Sequence, residues 1–307
     1  MYLLKNLVLV IFLIFNLNIL AQDADYYLKS GNDKSNNEDY WNSLSDYSRA
    51  IELNPYLTEA YYKRGKAKLM LDDFKGAIED FTVAINLNST NVLFYYGIGE
   101  AKENLGDYLG AIEDYSKILE INPTNSYAYL LRGGSKSKLG DYKGSIQDYT
   151  KAIEIHPTYY FAFEGRGISK ASLKDYHGAI IDFSKAIELN NEEVAVYLNR
   201  GGCKLELLDY RGAIHDFSRA IELDKNQFLA YYGLGVSKAG LKNHIEAIKN
   251  FDKAIFLNSN DSRFYLHRGL SKIEIKLIDD GCLDLSKAGE LGSKEAYTVI
   301  KDYCIGN

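Results

Sequence analysis

The sequence predicts an all-α fold, a row of antiparallel helix pairs stacked one on the next. Three observations carry that reading. One twelve-residue pattern returns at a constant spacing of 34: MLDDFKGAIEDF (70–81), NLGDYLGAIEDY (104–115), KLGDYKGSIQDY (138–149), SLKDYHGAIIDF (172–183) and ELLDYRGAIHDF (206–217). A weaker copy, GLKNHIEAIKNF (240–251), keeps the register, and divergent copies at 36–47 and 274–285 flank the series. Within each copy apolar residues fall three and four apart, the period of a helix buried on one face. Three prolines and 46% hydrophobic residues complete the picture of a folded, helix-rich chain.

Residues 1–21 stand outside the register. Lys5 gives a positive start, Leu7 to Phe15 is an unbroken apolar run, and the stretch ends on small Ala21. That order predicts a secretory signal peptide cut after Ala21. The apolar part is shorter than the roughly 20 residues a spanning helix needs, so an uncleaved anchor is the alternative and the one membrane attachment the sequence offers. No cysteine lies near the cut to carry a lipid. The ending Leu-Ala-Gln resembles signal peptides of Gram-negative envelope proteins, so the expected location is the periplasm or cell envelope, or outside the cell.

The register then divides the chain into 24–57, 58–91, 92–125, 126–159, 160–193, 194–227, 228–261 and 262–295, with a closing helix and tail over 296–307. Each repeat reads as two helices, in the third roughly Val92–Leu105 and Tyr108–Glu120, broken at Gly106-Asp107. The turn acid recurs as Asp39, Asp73, Asp107, Asp141, Asp175 and Asp209, with Asn243 in the seventh copy. Its side chain can accept a hydrogen bond from the free N–H groups opening the second helix, which contributes typically ~1 kcal/mol. A glycine runs through the first helices (Gly31, Gly65, Gly99, Gly133, Gly167, Gly201, Gly235, Gly269), where it lets the paired axes approach closely. Sixteen residues on comes a ring, Tyr47, Phe81, Tyr115, Tyr149, Phe183, Phe217 and Phe251, with Leu285 last. The polar first copy and the stripe Tyr297, Ile300 and Cys304 read as the end caps that a repeat array requires.

An aromatic four residues before the glycine, then the aromatic, small residue, aromatic, alanine and proline at these offsets resemble the tetratricopeptide repeat over 24–295. The resemblance implies a right-handed superhelix whose first helices line a concave groove for extended peptides or partner helices. The copies depart from the family where Arg64, Arg132, Arg166, Arg200 and Arg268 precede the glycine. With the lysines three past it, those arginines are expected to face the acid series Asp46, Asp80, Asp114, Asp148, Asp182, Asp216 and Asp284 across the helix pair; a pair of this kind that is partly exposed contributes ~0–1 kcal/mol.

Chemistry finds little footing. A net charge of −6 gives no reason to expect nucleic acid. The five histidines share no register and no metal-ligand spacing. There is no nucleophile elbow, zinc-protease motif or phosphate loop, and the register leaves no room for a catalytic domain. The expectation is a protein that is not an enzyme and takes no cofactor. Cys203 sits in a series of small residues, so it is read as packing. Cys282 and Cys304 either bridge, in an oxidising envelope, or stay as two separate buried thiols.

Function is therefore expected in residues that the repeat does not explain. In the resembled family the positions six and three before the glycine, and one after it, face the groove. Here they place Tyr62, Lys66, Tyr96, Glu100, Tyr127, Phe161, Glu164 and Tyr232 on it. Rings on rigid helices lose little entropy when covered, which suits them to anchor a partner. The carboxylate clamp of chaperone-binding relatives is matched only at Lys66 and Asn32. The expected function is a scaffold that holds a segment of another protein, of unknown identity. The alternative is a structural component that associates with itself into a homo-oligomer.

Overall fold

The computed structural model describes residues 22–304; the signal-peptide reading and the last three residues of the expected tail lie outside them. The described chain is helical throughout, in tandem pairs. Two compact units meet in sequence at Ile155 and His156. The first holds α1 (22–36) and α2 (Tyr40–Leu53), α3 (Thr58–Met70) and α4 (Phe74–Leu87), α5 (Val92–Asn104) and α6 (Tyr108–Ile121), α7 (Ser126–Lys138) and α8 (Tyr142–Ile155). The second holds α9 (Tyr160–Ser172) and α10 (Tyr176–Leu189), α11 (Val194–Glu206) and α12 (Tyr210–Leu223), α13 (Phe228–Gly240) and α14 (His244–Leu257), α15 (Ser262–Glu274) and α16 (Ile278–Glu290), closed by α17 (Lys294–Tyr303). The last helix starts two residues before the expected 296, because Ser293 caps it by accepting from the Ala296 N–H.

Each turn within a pair is set by two devices. The turn acid accepts from the backbone N–H three residues on, as Asp73 does from Gly76 at 3.0 Å and Asp141 from Gly144 at 2.9 Å. Five of these acceptors face a glycine, Gly76, Gly110, Gly144, Gly178 and Gly212, where a Cβ would strike the capping carboxylate. In the first and seventh pairs Asn42 and Glu246 take that place, and the cap bond lengthens to 3.4 Å. The residue before the cap position turns left-handed in every pair, including the seventh, capped by Asn243, and the eighth, where Leu277 makes no side-chain cap. Glycine fills it at Gly106 and Gly140, but elsewhere it is Glu38, Asp72, Lys174, Leu208, Lys242 or Lys276.

The helix glycine does more than bring axes together. It seats the ring sixteen residues on: a Cβ at Gly65 would enter Phe81, one at Gly99 would enter Tyr115, and one at Gly167 would enter Phe183. In the last pair Leu285 replaces the ring, and Gly269 instead lies against the Gly281 carbonyl. Alanines such as Ala84, Ala152 and Ala220 and the rings Phe81, Tyr115 and Phe183 are fully buried.

The acid series faces its cations as expected, and all of it but the half-buried Asp114 is buried, so the weak, partly exposed case does not apply. Asp216 has no solvent exposure, and Asp182, Asp80 and Asp148 are nearly as enclosed. Each is gripped by two cations. Arg200 donates from Nε and Nη2 to the two oxygens of Asp216 at 2.9 and 2.6 Å, and Lys204 reaches the same carboxylate at 2.7 Å. The same grip holds Asp80, Asp148, Asp182 and Asp284. The arginine also lies over a ring of its own helix and reaches back to the previous pair, as Arg200 Nη1 does to Ser184 Oγ at 3.0 Å. In the first pair Ser30 and Lys34 share Asp46. In the third, Ile98 stands where the arginine would, and Lys102 alone meets Asp114 at 2.7 Å.

That difference sets the charges. Burial alone would push the Asp216 carboxyl up, but hydrogen bonds and charge from Arg200 and Lys204 hold it below the usual range. Burial pushes the Asp114 carboxyl up, and Lys102 offsets this only in part.

Leu208 gives the first prediction. A left-handed residue with a side chain costs about 1–2 kcal/mol, so Leu208→Gly raises stability by about 1 kcal/mol in urea unfolding, and Gly140→Ala lowers it by a similar amount. The acid series gives the second. Asp216→Asn breaks a buried pair and costs about 3–5 kcal/mol at pH 7. The depressed group contributes stability above its unfolded value of about 3.9, lost as pH falls through the lower folded value, so the variant also flattens the acid limb of the stability curve. Asp114, raised in the fold, contributes in the opposite sense: stability tied to it grows as pH falls through the folded value. Asp114→Asn accordingly changes stability at pH 7 by no more than about 1 kcal/mol.

Candidate functional site on the first helices

Within each unit successive first helices touch one another, α3 with α5, and α9, α11, α13 and α15 in a row. The face they share carries the residues singled out from the register. In the first unit Tyr62 lies in a ring stack, 6.0 Å from Phe81 and 5.4 Å from Phe94 between centroids, with Lys66 Nζ 6.0 Å above it. Tyr96 packs 6.4 Å from Tyr115 and 5.4 Å from Tyr127, and its hydroxyl donates to Asn125 Oδ1 at 2.8 Å. Glu100 is exposed among them. Burial and then the Glu100 charge push the Tyr62 phenol up, and burial with Glu100 and Glu103 does the same to Tyr127. The first unit thus gathers Tyr62, Tyr96, Glu100 and Tyr127 on one face. Beside Tyr62, a hollow of about 410 Å³ opens between Glu59, Lys63, Leu93 and Phe94.

In the second unit Phe161 stacks on Tyr160 at 3.9 Å and is 49% exposed. Glu164, one turn on, is half-buried; burial and then the charge of Glu193 push its carboxyl up. Tyr232 is clasped by Phe264 at 5.0 Å, His267 at 5.5 Å and the Arg263 guanidinium at 5.4 Å. A cleft of about 670 Å³ opens beside it, walled by Leu198, Gly202, Leu205, Leu229, Tyr232 and Val236, with Asn199, Glu206, Arg263 and His267 at its polar margin. The sequence reasoning missed Asn199, Glu206 and His267, which lie off the three groove positions. Asn199 and His267 share a register position that also holds Lys29, Lys63, Gly97, Leu131, Gly165 and Gly233, so no repeated residue type marked it.

The structure separates two classes among the expected anchors. The residues three before the glycine, Tyr62, Tyr96 and Tyr232, are half-buried wedges between neighbouring pairs. Those six before it are exposed, Tyr127 at 48% and Leu93 at 47% alongside Phe161. The clamp match dissolves as well: Asn32 accepts from the Tyr47 hydroxyl at 3.0 Å, and Lys66 rests on Tyr62. At the C-terminal end Cys282 and Cys304 form a disulfide with Cα atoms 5.9 Å apart, joining α17 to α16. Cys203 is buried, and burial followed by the Glu206 charge pushes its thiol up to about 11, which leaves it protonated and inert. No described helix is long and apolar enough to cross a membrane.

The two classes respond differently to truncation. Tyr232→Ala removes a half-enclosed ring and lowers stability by about 2–3 kcal/mol in urea unfolding. Phe161→Ala, at an exposed position, stays within about 0.5 kcal/mol.

Comparison with known proteins agrees with this geometry. Tetratricopeptide repeat models match residues 92–125, 126–159 and 204–270. No curated protein matches the chain. Among solved structures, MamA is similar at 26% identity and a TM-score of 0.51, over 53% of this chain and 95% of MamA. YrrB, a TPR protein with an unusual peptide-binding site, is similar at 24% identity and a TM-score of 0.54, over 61% of this chain and 96% of YrrB. The C-terminal part of a TPR repeat-containing protein from Cytophaga hutchinsonii reaches a TM-score of 0.64 at 17% identity, over 77% of this chain and 98% of that one. By its register, its helix pairs and these matches, the chain is a tetratricopeptide repeat protein.

Proposed function

We propose that the protein is an exported, non-catalytic scaffold that binds a segment of another protein along the face of its first helices. The observation that carries this reading is the exposed apolar side chains on the first helices of each unit, Leu93 and Tyr127 in the first beside a hollow of about 410 Å³ and Phe161 and Leu229 in the second beside one of about 670 Å³. Exposed apolar surface with polar margins is the usual mark of a protein-binding site. The binding of peptide by YrrB, a protein of the same fold, is consistent with this use of the face.

Export rests on the pattern of residues 1–21, and it fits the cysteines. A disulfide holds in an oxidising compartment and not in a reducing cytosol, so the joined Cys282 and Cys304 favour the periplasm, the envelope or the exterior. There the bridge would hold the closing helix α17 over the apolar side of α16, where Leu285, Ala288 and Ala296 form a common core.

The test is site-specific photo-crosslinking in the native cell. A photo-reactive residue replaces Leu93, Tyr127, Phe161 or Leu229 on the first helices, or Lys75, Lys143 or Arg211 on the opposite, second-helix side. Adducts with one partner protein are expected from the first set only. Adducts from the second set alone would overturn the reading, and adducts solely between copies of this chain would establish self-association in its place.

A further inference from the structure

The cleft of the second unit has a charge character that narrows what can occupy it. Its walls are apolar, and its floor is open at Gly202, where a Cβ would meet nothing within 4 Å. Of the charged groups at the margin, Arg263 is already satisfied: its Nε and Nη2 donate to Asp261 at 2.9 and 2.6 Å, and its guanidinium lies on Tyr232. The Nδ1 of His267 donates to the Arg263 carbonyl at 2.9 Å. Glu206 is exposed, with no ion pair among the described residues.

One pair upstream, α9 presents Phe161, Glu164 and Ile168 on one stripe, at helical spacings of three and four. Phe161 and Ile168 are exposed at 49% and 39%. Glu164, between them, has neither a hydrogen bond nor a counter-ion among the described residues, and its charged neighbour is Glu193, an acid that accepts no bond as N-cap of α11. A half-buried carboxylate facing a second carboxylate is unfavourable in the free protein, and a cation placed there would relieve it. The face of the second unit therefore alternates apolar surface with uncompensated negative charge.

We propose, building on the groove reading above, that the second unit selects a basic-apolar segment: a bulky apolar side chain enters the α11–α13–α15 cleft, and lysine or arginine side chains beside it meet Glu206 and Glu164. The apolar side chain supplies most of the affinity, because it covers the walls of the cleft. The two carboxylates supply selection, since an acidic segment would add like charges to groups that have no counter-ion among the described residues, Glu206 accepting only from the Tyr176 hydroxyl.

The test uses an array of synthetic 15-residue peptides, probed with the purified full chain, in which bulky apolar residues and charge sign vary independently. Peptides carrying both a bulky apolar residue and lysine or arginine are expected to be retained. Exchange of lysine and arginine for glutamate weakens retention at least tenfold. Gly202→Leu, which fills the cleft where there is room for a side chain, abolishes dependence on the apolar residue while the thermal unfolding curve stays unchanged. The double variant E164Q/E206Q keeps apolar recognition and loses the preference for basic peptides. Retention without a charge preference, retention of acidic peptides, or an unaltered pattern in Gly202→Leu overturns this inference and leaves the groove reading standing. Failure to retain any peptide overturns both.

Discussion

The buried carboxylate between the helices of a pair is the constraint on which the repeats depend. Asp80, Asp148, Asp182, Asp216 and Asp284 are enclosed to a degree that a lone charge could not sustain. Each therefore obliges an arginine and a lysine on the facing helix to stay in one arrangement. The bidentate arginine fixes the approach of the two helices in direction as well as distance. Since Arg64, Arg132 and Arg200 also donate to Ser48, Ser116 and Ser184 of the preceding pair, the same ion sets the stacking of one pair on the next. Such a network is weak evidence for net stability, because burying charge costs about what pairing returns. Its contribution is register: a slip by one residue would strand a carboxylate inside.

Most of the fold was legible because repetition turns one weak local signal into a ruler. Asp107 as a cap, Gly99 as a close-approach residue and Tyr115 as a packing ring each recur in the same place along the chain. What the ruler left unread depends on contacts between different registers. The glycine at Gly76 and its equivalents follows from the reach of the capping carboxylate, which spacing alone does not reveal. The left-handed backbone at Leu208 carries no glycine to announce it. The burial of the acid series was not readable from spacing, because a charged residue is usually solvated and only the joint reach of arginine and lysine makes enclosure tolerable.

The candidate site was legible in position and less so in role. Register placed Tyr62, Tyr96 and Tyr232 on the face of the first helices, where they are. Their wedging depends on the next pair supplying a ring, Phe94 for Tyr62 and Phe264 for Tyr232 five residues before its glycine, and Tyr127 for Tyr96 six before. A neighbour 32 residues away is invisible to helical periodicity. Tyr127 and Phe161 sit one position earlier and stay about half exposed, although Tyr127 still meets Tyr96 at 5.4 Å. The distinction between wedge and anchor is a property of stacked pairs.

Besides the first pair, where Ser30 takes its place, the two copies in which the arginine is missing show how the scaffold accommodates change. The third and seventh copies read YYGIG (95–99) and YYGLG (231–235), with Ile98 and Leu234 where arginine would stand and an added glycine before each. Both apolar residues are buried in the cores around Phe81 and Phe217. The added glycines, Gly97 and Gly233, press against those rings from the following pair, so that each ring lies between glycines of two pairs. Shape thereby replaces charge in setting the stacking, a substitution that buried ion pairs tolerate at little or no cost. At the seventh copy the exchange is complete: Asn250 replaces the acid and donates to the Glu246 carbonyl of its own helix, so no ion bridges α13 and α14 in the buried position. Phe217, Gly233 and Tyr232, which this apolar junction sets in place, then form part of the lining of the larger cleft. The junction that gave up its charged register thus borders the cleft of about 670 Å³ in the second unit.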